Sequence, residues 1–368
     1  MTTRQRRHLE QGFSLIDIMV GIVIGLIAVL VIYQVFAAAE GIKRNTTSVG
    51  DAQQNGLLSS FMLGIELANS GNGVANSAQD LKNCPGSANF ASTWRPIPLV
   101  IVDGGADNMP DSFSVNYSVT NAVIAPMPFY TVGIGSVAAN APYPVQSPTG
   151  FLPNDLIVAI SSVGCAVSIV TPGGVTAPDP TNGKVIITHT DPGVALTFSD
   201  DAVLLNMGPI TNAQKVRYDV TAAGVLRSTA LLKGDGKPND DTSPLPNPLA
   251  SNVVNMKLQY GIDTTGGGVL TWVSSGTAPW RSADLVNAPD VNVLIAQLKT
   301  LKAVRIGIVV KGEQEDKDRM VPVPWSLFGG RVGGGYEGSF LPTPGRGNYR
   351  YRTYETVIPL RNELWNSL

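Results

Sequence analysis

Histidine is almost missing from this sequence. His8 and His189 are the two present, and Cys84 and Cys165 are the two cysteines. One downstream histidine and two cysteines far apart in the chain make no credible structural zinc set. No Gly-x-Ser-x-Gly elbow and no Walker A loop occurs, so those hydrolase and nucleotide-binding signatures are both lacking. Charge is also scarce. Asp, Glu, Lys and Arg make up 15% of the residues, and the formal net charge is −2. That balance leaves no electrostatic footprint for nucleic acid and predicts a surface coated with Ser, Thr, Asn and Gly. Proline is absent between Phe13 and Pro85, although the chain holds 26 of them.

What is present divides into two parts. The chain has 368 residues, enough to bury a sizeable core. The first twelve residues, MTTRQRRHLEQG, are made basic by Arg4, Arg6 and Arg7, and an apolar run follows them. From Ile18 to Ala39 the only strongly polar side chain is Gln34. As a helix this run spans a hydrocarbon core of ~30 Å. The arginines before it place the amino terminus in the cytoplasm and the rest of the chain outside. A secretory signal places its cleavage site after the apolar core. Here the processing candidate, Gly12-Phe13, comes before it, so cleavage would leave the helix on the mature protein.

Asp17 is the informative residue of the run. An ionised group at mid-membrane costs roughly 2.5–3.5 kcal/mol on insertion scales, and less near the interface. Cleavage at Gly12-Phe13 would give Phe13 a free α-amine, which the carboxylate of a neighbouring subunit could meet in a packed filament. The other reading is an Asp that reaches the head groups and favours the helix amino terminus. Gly12-Phe13-Ser14-Leu15-Ile16-Asp17 resembles the prepilin processing site of type IV pilins and type II secretion pseudopilins, with Asp17 in the place of the family's Glu. The resemblance implies a prepilin peptidase as partner, N-methylation of Phe13, an assembly role for Asp17, and packing of Leu15 to Phe36 against other pilins.

Beyond the run, Leu57, Leu58, Phe61, Met62, Ile65 and Ala68 recur at helical spacing. They predict the face on which the helix packs against a head domain. Asn69-Ser70-Gly71 reads as the stop, so one helix of order 80 Å runs from about Ser14 to about Ala68. Gly21, Gly25, Gly41, Gly50, Gly56 and Gly64 each weaken it by up to ~1 kcal/mol relative to Ala, and permit either close packing or local melting.

After residue 72 the pattern turns to strands. Leu99–Val102 and Ser112–Tyr117 flank a Gly/Asp turn. Further candidates are 156–160, 166–170, 184–188, 203–207, 215–220, 255–262, 269–273, 304–310 and 351–358. Pro289–Leu301 reads as a short helix with its proline in the first turn, and 233–250 and 326–348 read as loops. Gly330 to Gly335, lacking a predicted strand before it and a helix after it, is a loop rather than a phosphate cradle. The expected fold is α+β: a leader at 1–12, a pilin helix at 13–70 that spans the membrane over about 15–39, and a β-rich, mostly antiparallel head at 71–368.

Segments of the head resemble the PilW group of minor pilins, whose secretion counterpart is the J-type pseudopilin. They are Leu258-Gln259-Tyr260-Gly261-Ile262-Asp263 followed by Trp272, then Lys302 to Ile308, then Tyr354 to Asn362, with the Asp103-to-Tyr117 hairpin. This resemblance implies a non-enzymatic subunit that primes assembly or sits near the tip. Its partners would be minor and major pilins, the inner-membrane assembly platform and a tip adhesin. The membrane-stored form would face the periplasm before joining the pilus. A J-type pseudopilin, a membrane-anchored periplasmic enzyme and a simple anchored adhesin are the competing readings.

No cofactor is expected. Cys84 and Cys165 lie on the outer side, where a disulfide would close a loop of roughly 80 residues and contribute about 4 kcal/mol in the loop-entropy model; two separate buried thiols are the alternative. Asp103, Asp107 and Asp111 form one calcium candidate, and Asp235, Asp240 and Asp241 another. Neither matches the EF-hand spacing, and turn-forming aspartates are the preferred reading. Asp263 heads a turn whose Gly266 to Gly268 lower the case for metal there.

Overall fold

The computed structural model describes residues 14–74, 95, 97–120, 126–130, 133, 135–147, 150–212, 215–232, 246–315, 323–330, 335–340 and 349–361. A spine helix, α1 (Leu15–Asn69), carries a β-rich head. Ser14 caps its start, its Oγ accepting from the Ile16 amide at 3.3 Å. The predicted stop holds: Asn69 is the last helical residue, and Gly71 takes a positive φ of 77°, a conformation that costs glycine little.

The head begins with the hairpin β1 (Leu99–Val102) and β2 (Ser112–Asn116). Next come β3 (Met127–Pro128), β4 (Val137–Ala138), β5 (Tyr143–Val145), β6 (Asp155–Ser161), β7 (Gly164–Val175), β8 (Val185–His189), β9 (Thr197–Phe198) and β10 (Val203–Pro209). They are followed by β11 (Lys215–Val220), β12 (Leu226–Leu232), β13 (Asn247–Ala250), β14 (Val253–Ile262) and β15 (Thr271–Ser274). The last elements are α2 (Ser282–Val286), α3 (Val291–Thr300), β16 (Leu301–Lys311), β17 (Val323–Leu327), β18 (Tyr336–Phe340) and β19 (Tyr351–Pro359). All described strand pairs are antiparallel.

Two packing units result. One joins the five-stranded sheet β1-β2-β11-β12-β13 to the four-stranded sheet β15-β14-β16-β19. Its core holds Leu63 and Leu67 of the spine together with Ile101, Phe113, Met256, Tyr260, Ile306 and Ile308. The other is built on the six-stranded sheet β3-β10-β6-β7-β8-β5. β6 is buried at all seven positions, which requires apolar cover on both faces. One face packs Phe129, Tyr143, Ile187 and Phe198; the other packs Val158, Ile160 and Cys165 with Val74. This second unit is an insertion. β2 and β11 are hydrogen-bonded neighbours with Asn116 opposite Lys215, so residues 117–214 leave and re-enter the first unit at adjacent strand ends.

The spine seats on the head by a face the sequence pattern does not nominate. The buried positions are Ser48, Ala52, Gly56, Ser59, Leu63 and Leu67. Leu57, Leu58, Phe61 and Ile65, expected in the core, are 63%, 42%, 67% and 46% exposed. Only Ala68 of the predicted stripe packs on the core. The cause is close approach. Tyr354 of β19 lies against Gly56 so tightly that a Cβ there would sit 2.1 Å from its ring. Ser48 meets Gly312 in the same way. Small residues let the strands reach the helix backbone around Gly56, and Leu57, Leu58, Phe61 and Ile65 point away. Of the six spine glycines, Gly56 alone serves close packing within the chain; a Cβ on any of the others meets nothing within 4 Å.

Three smaller expectations are corrected. The segments 233–250 and 326–348 are not loops throughout, since β13 and β18 lie in them. Gly338 is paired with Trp325 across the β17–β18 hairpin, and the indole covers the space a side chain would take. Gly330 to Gly335 does follow a strand, β17, but leads into β18 rather than a helix, so it remains a hairpin connection. Pro289 precedes the helix instead of entering it: Asp290 is the N-cap of α3, its side chain accepting from the Asn292 amide at 2.8 Å.

This packing separates Leu63 and Phe61, two positions apart on the spine, by outcome. Leu63→Ala removes a fully buried side chain and should cost about 2–5 kcal/mol, whereas Phe61→Ser should leave thermal unfolding of the purified protein within about 0.5 kcal/mol of wild type. Gly56→Val should destabilise by at least about 1–3 kcal/mol through overpacking against Tyr354.

Candidate assembly interface

The spine has the composition and length of a membrane-crossing helix, and none of its most apolar window is buried. Every residue from Ser14 to Arg44 is exposed. Asp17 stands in the first turn of α1, one turn inside the Ser14 cap, where a carboxylate is favoured by the unpaired amides of the helix start. The first head contacts come later, where Arg44 donates to Gln314 Oε1 at 3.3 Å and Ser48 meets Gly312. Glu66 then accepts from the Tyr117 hydroxyl at 3.0 Å, tying the spine to the end of β2.

Over its second half the helix therefore has two unlike faces. Ser48, Ala52, Gly56 and Ser59, followed by Leu63 and Leu67, face the head, and Leu57, Leu58, Phe61 and Ile65 form an exposed ridge on the opposite side. Beside that ridge lies a groove of about 670 Å³ between α1, β17 and β19, whose walls include Gln53, Leu57, Trp325, Arg352 and Tyr354.

Within the head, a buried ion pair joins the β1–β2 turn to β14. Lys257 of β14 and Asp111 of β2's approach are 0% and 1% exposed, with Nζ 2.8 Å from Oδ1. Oδ1 also accepts from the Gly104 amide at 3.0 Å, and Oδ2 from the Leu258 amide at 3.0 Å. Lys257 further donates to the Ala106 carbonyl at 3.3 Å, and Asn255 donates to the Asp107 carbonyl at 3.0 Å. Burial pushes the Asp111 carboxyl above its ordinary range, and Lys257 with the two amides draws it back. The pair pins the β1–β2 turn to the central strand. Sequence reading did not single out Lys257, although a lysine inside the apolar strand VVNMKLQYGI was the available signal for a buried counter-ion.

The first calcium candidates, Asp103, Asp107 and Asp111, form no metal-holding group. Asp111 turns inward to Lys257, while Asp103 Oδ1 accepts from the Gly105 amide at 2.7 Å. No group of three His, Cys, Asp or Glu able to hold a metal occurs among the described residues. Asp263 is likewise a turn former: the amides of Gly268, Thr265 and Gly266 hold its carboxyl below the ordinary range. Both ring nitrogens of His189 face carbonyls, those of Thr190 and Ala141. Cys165 is disulfide-bonded and buried. Its expected partner Cys84, the processing pair Gly12 and Phe13, and Asp235, Asp240 and Asp241 lie outside the described residues.

Residues 217–362 match the family of type IV pilus-assembly protein W, PilW. The match starts inside β11, after the insertion, and runs through β19. Among solved structures, a type IV-like pilin from Thermus thermophilus is 13% identical over 58% of this chain and 85% of its own, with a TM-score of 0.21. No curated protein matches the chain.

Removing one member of the buried pair should be costly and removing both should not. Lys257→Met should destabilise by about 3–5 kcal/mol, and Lys257→Met with Asp111→Leu should recover most of that loss. In Lys257→Met the lone Asp111 carboxyl titrates higher in the folded state than in the unfolded chain. Its protonation then favours folding, so the deficit should be full above the folded value and shrink as pH falls through it toward the unfolded one; chemical denaturation of the two variants across pH checks both sign and size.

Proposed function

We propose that this chain, a type IV minor pilin of the PilW group, is stored in the inner membrane as a prepilin and assembled after its leader is removed between Gly12 and Phe13. The observation that carries the reading is the division of α1. One narrow face is spent on the head, and every other apolar position from Leu15 to Ile65 is left for lipid or for other helices. In the stored form the span of about 15–39 lies in the bilayer, with the amino terminus in the cytoplasm and the head in the periplasm. In the filament the same surface packs against minor and major pilins.

Cleavage supplies Phe13 with an α-amine, and methylation of that amine follows. Asp17 then offers the carboxylate that meets a neighbour's amine where water is excluded, which neutralises two charges that an apolar bundle disfavours. The head is a structural body that primes assembly near the tip, alongside the membrane platform and a tip adhesin. The Cys84–Cys165 bridge ties the segment after the spine to the inserted unit. The second reading, a J-type pseudopilin of a type II secretion system, rests on the same family likeness; a deletion strain that retains pili but loses secretion would favour it.

Amino-terminal sequencing after co-expression with a prepilin peptidase should return a mature chain beginning at Phe13, and a mature start elsewhere would overturn the reading. Asp17→Ala should leave cleavage intact and reduce incorporation into sheared filaments; unchanged incorporation removes Asp17 from the mechanism. Intact mass after alkylation should gain two adducts only when a reductant precedes the alkylating agent.

A further inference from the structure

β19 is an edge strand with one side unused. The Gly312 amide donates to the Arg350 carbonyl at 2.8 Å, and the Leu360 amide to the Lys302 carbonyl at 3.0 Å. These bonds fix the phase of the antiparallel ladder between β16 and β19, which runs without a bulge. In such a ladder alternate residues turn their backbone groups away from the partner strand. Arg352, Tyr354, Thr356 and Ile358 therefore bond to β16, while Thr353, Glu355 and Val357 turn their amides and carbonyls outward. Among the described residues no backbone group meets them, and Val357 is 53% exposed. The other edges of the three larger sheets are blunted. β13 and β15 have four residues each, and β13 carries Pro248. β1 gives its Ile101 amide to the Tyr260 hydroxyl at 2.7 Å, and the β3 and β5 edges meet through the Phe129–Val145 bridge. A long, straight, unpaired edge such as β19 is a template for a further strand.

The groove shows where that strand lies. The spine covers the face of β19 that bears Tyr354. β17 covers the face that bears Glu355, whose Oε1 accepts from the Phe328 amide at 2.9 Å. Between them the groove opens on β19 from Tyr351 to Tyr354, with Leu57 and Trp325 on its two walls. Free backbone groups at strand spacing, walled on both sides, select an extended polypeptide. Residues two apart on an added strand share a face. One lies against Tyr354 and Leu57, and the next on that face lies against Arg352, which is exposed and has no ion pair among the described residues. The structure assigns the free edge of β19 to an extended segment of a second protein, paired through its backbone and carrying a large apolar residue and a carboxylate two positions apart. A second copy of this chain, pairing through its own β19, fits poorly. The register that uses all three outward residues sets Glu355 opposite Glu355, and each edge is recessed between its own spine and its own β17. The inference goes beyond the pilin reading and does not depend on it, since an anchored head of any role would carry the same edge.

A photo-crosslinking residue in place of Val357, with the exposed Val269 as control site, tests the pairing in intact cells. The expected result is an adduct at 357 and none at 269. Peptide sequencing should place it in another protein, beside an apolar and an acidic residue two positions apart. Thr353→Pro removes one outward amide and leaves the bonds to β16 in place, so it should lower the adduct yield about tenfold. Thr353→Ala keeps that amide and should leave the yield within about twofold of wild type. Arg352→Glu should lower it about tenfold by setting like charges together. Thermal unfolding of the purified variants checks that each is folded, and if Thr353→Pro is not, Arg352→Glu decides. No adduct at 357, an adduct within this chain or with a second copy, or a captured segment lacking the apolar and acidic pair overturns the proposal. So does a yield unchanged by Arg352→Glu or by folded Thr353→Pro, or one lowered as far by Thr353→Ala as by Thr353→Pro.

Discussion

Tyr354 can lie across the spine because residue 56 has no side chain. The ring of β19 fills the place where a Cβ would stand, and its hydroxyl donates to the Ala52 carbonyl at 3.4 Å. That contact brings an edge strand to the backbone of a 55-residue helix and sets which way the helix faces. Ser48, Ala52 and Ser59 share the same side, and Leu63 and Leu67 extend it into the main core. Leu57, Leu58, Phe61 and Ile65 are left outside as a consequence. Both the membrane-ready surface and the ridge above it depend on this seat.

The head provides a rigid counterpart. β14 and β16 are its central strands, and β19 is added at the edge in register from Ala303–Pro359 to Lys311–Tyr351. On the face away from the main core, the β17–β18 hairpin packs Trp325, Leu327, Phe328 and Tyr336 around Val309. Arg305 is held there between the Trp272 and Phe328 rings, 4.8 and 4.4 Å from their centroids. The Lys257–Asp111 pair lies within this packing and fixes the β1–β2 turn. A buried pair of this kind adds little net stability against an apolar replacement, but it penalises any arrangement that separates its partners. Its effect is to hold one placement of the turn.

The insertion and the family match meet inside β11. The matched region begins at residue 217, two residues into the strand at which residues 117–214 rejoin the first unit. A unit that enters and leaves at neighbouring strand ends can vary without disturbing the strands that carry it. Its own packing supports that independence, with separate clusters on the two faces of β6 and β7. Val74, five residues past the end of the spine, packs into the cluster on one of those faces.

Much of this was legible in the residues. The apolar run, the lack of proline to residue 85, the Asn69-Ser70-Gly71 stop and the strands 156–160, 203–207, 215–220, 255–262 and 304–310 all follow from local pattern, because period and backbone preference are properties of short segments. The short strands β3, β4 and β9 carry no such pattern, and β18 is disguised by Gly338, whose missing side chain makes sense only beneath Trp325. The same limit applies to the interface. Sequence alone determined that the spine is helical, membrane-length and apolar on a stripe at Leu57, Phe61 and Ile65. Tertiary structure decided that the stripe faces away from the head, since Tyr354 and Gly312 need the small-residue side of the helix, and hydrophobicity by itself cannot say which of two apolar partners a face is meant for.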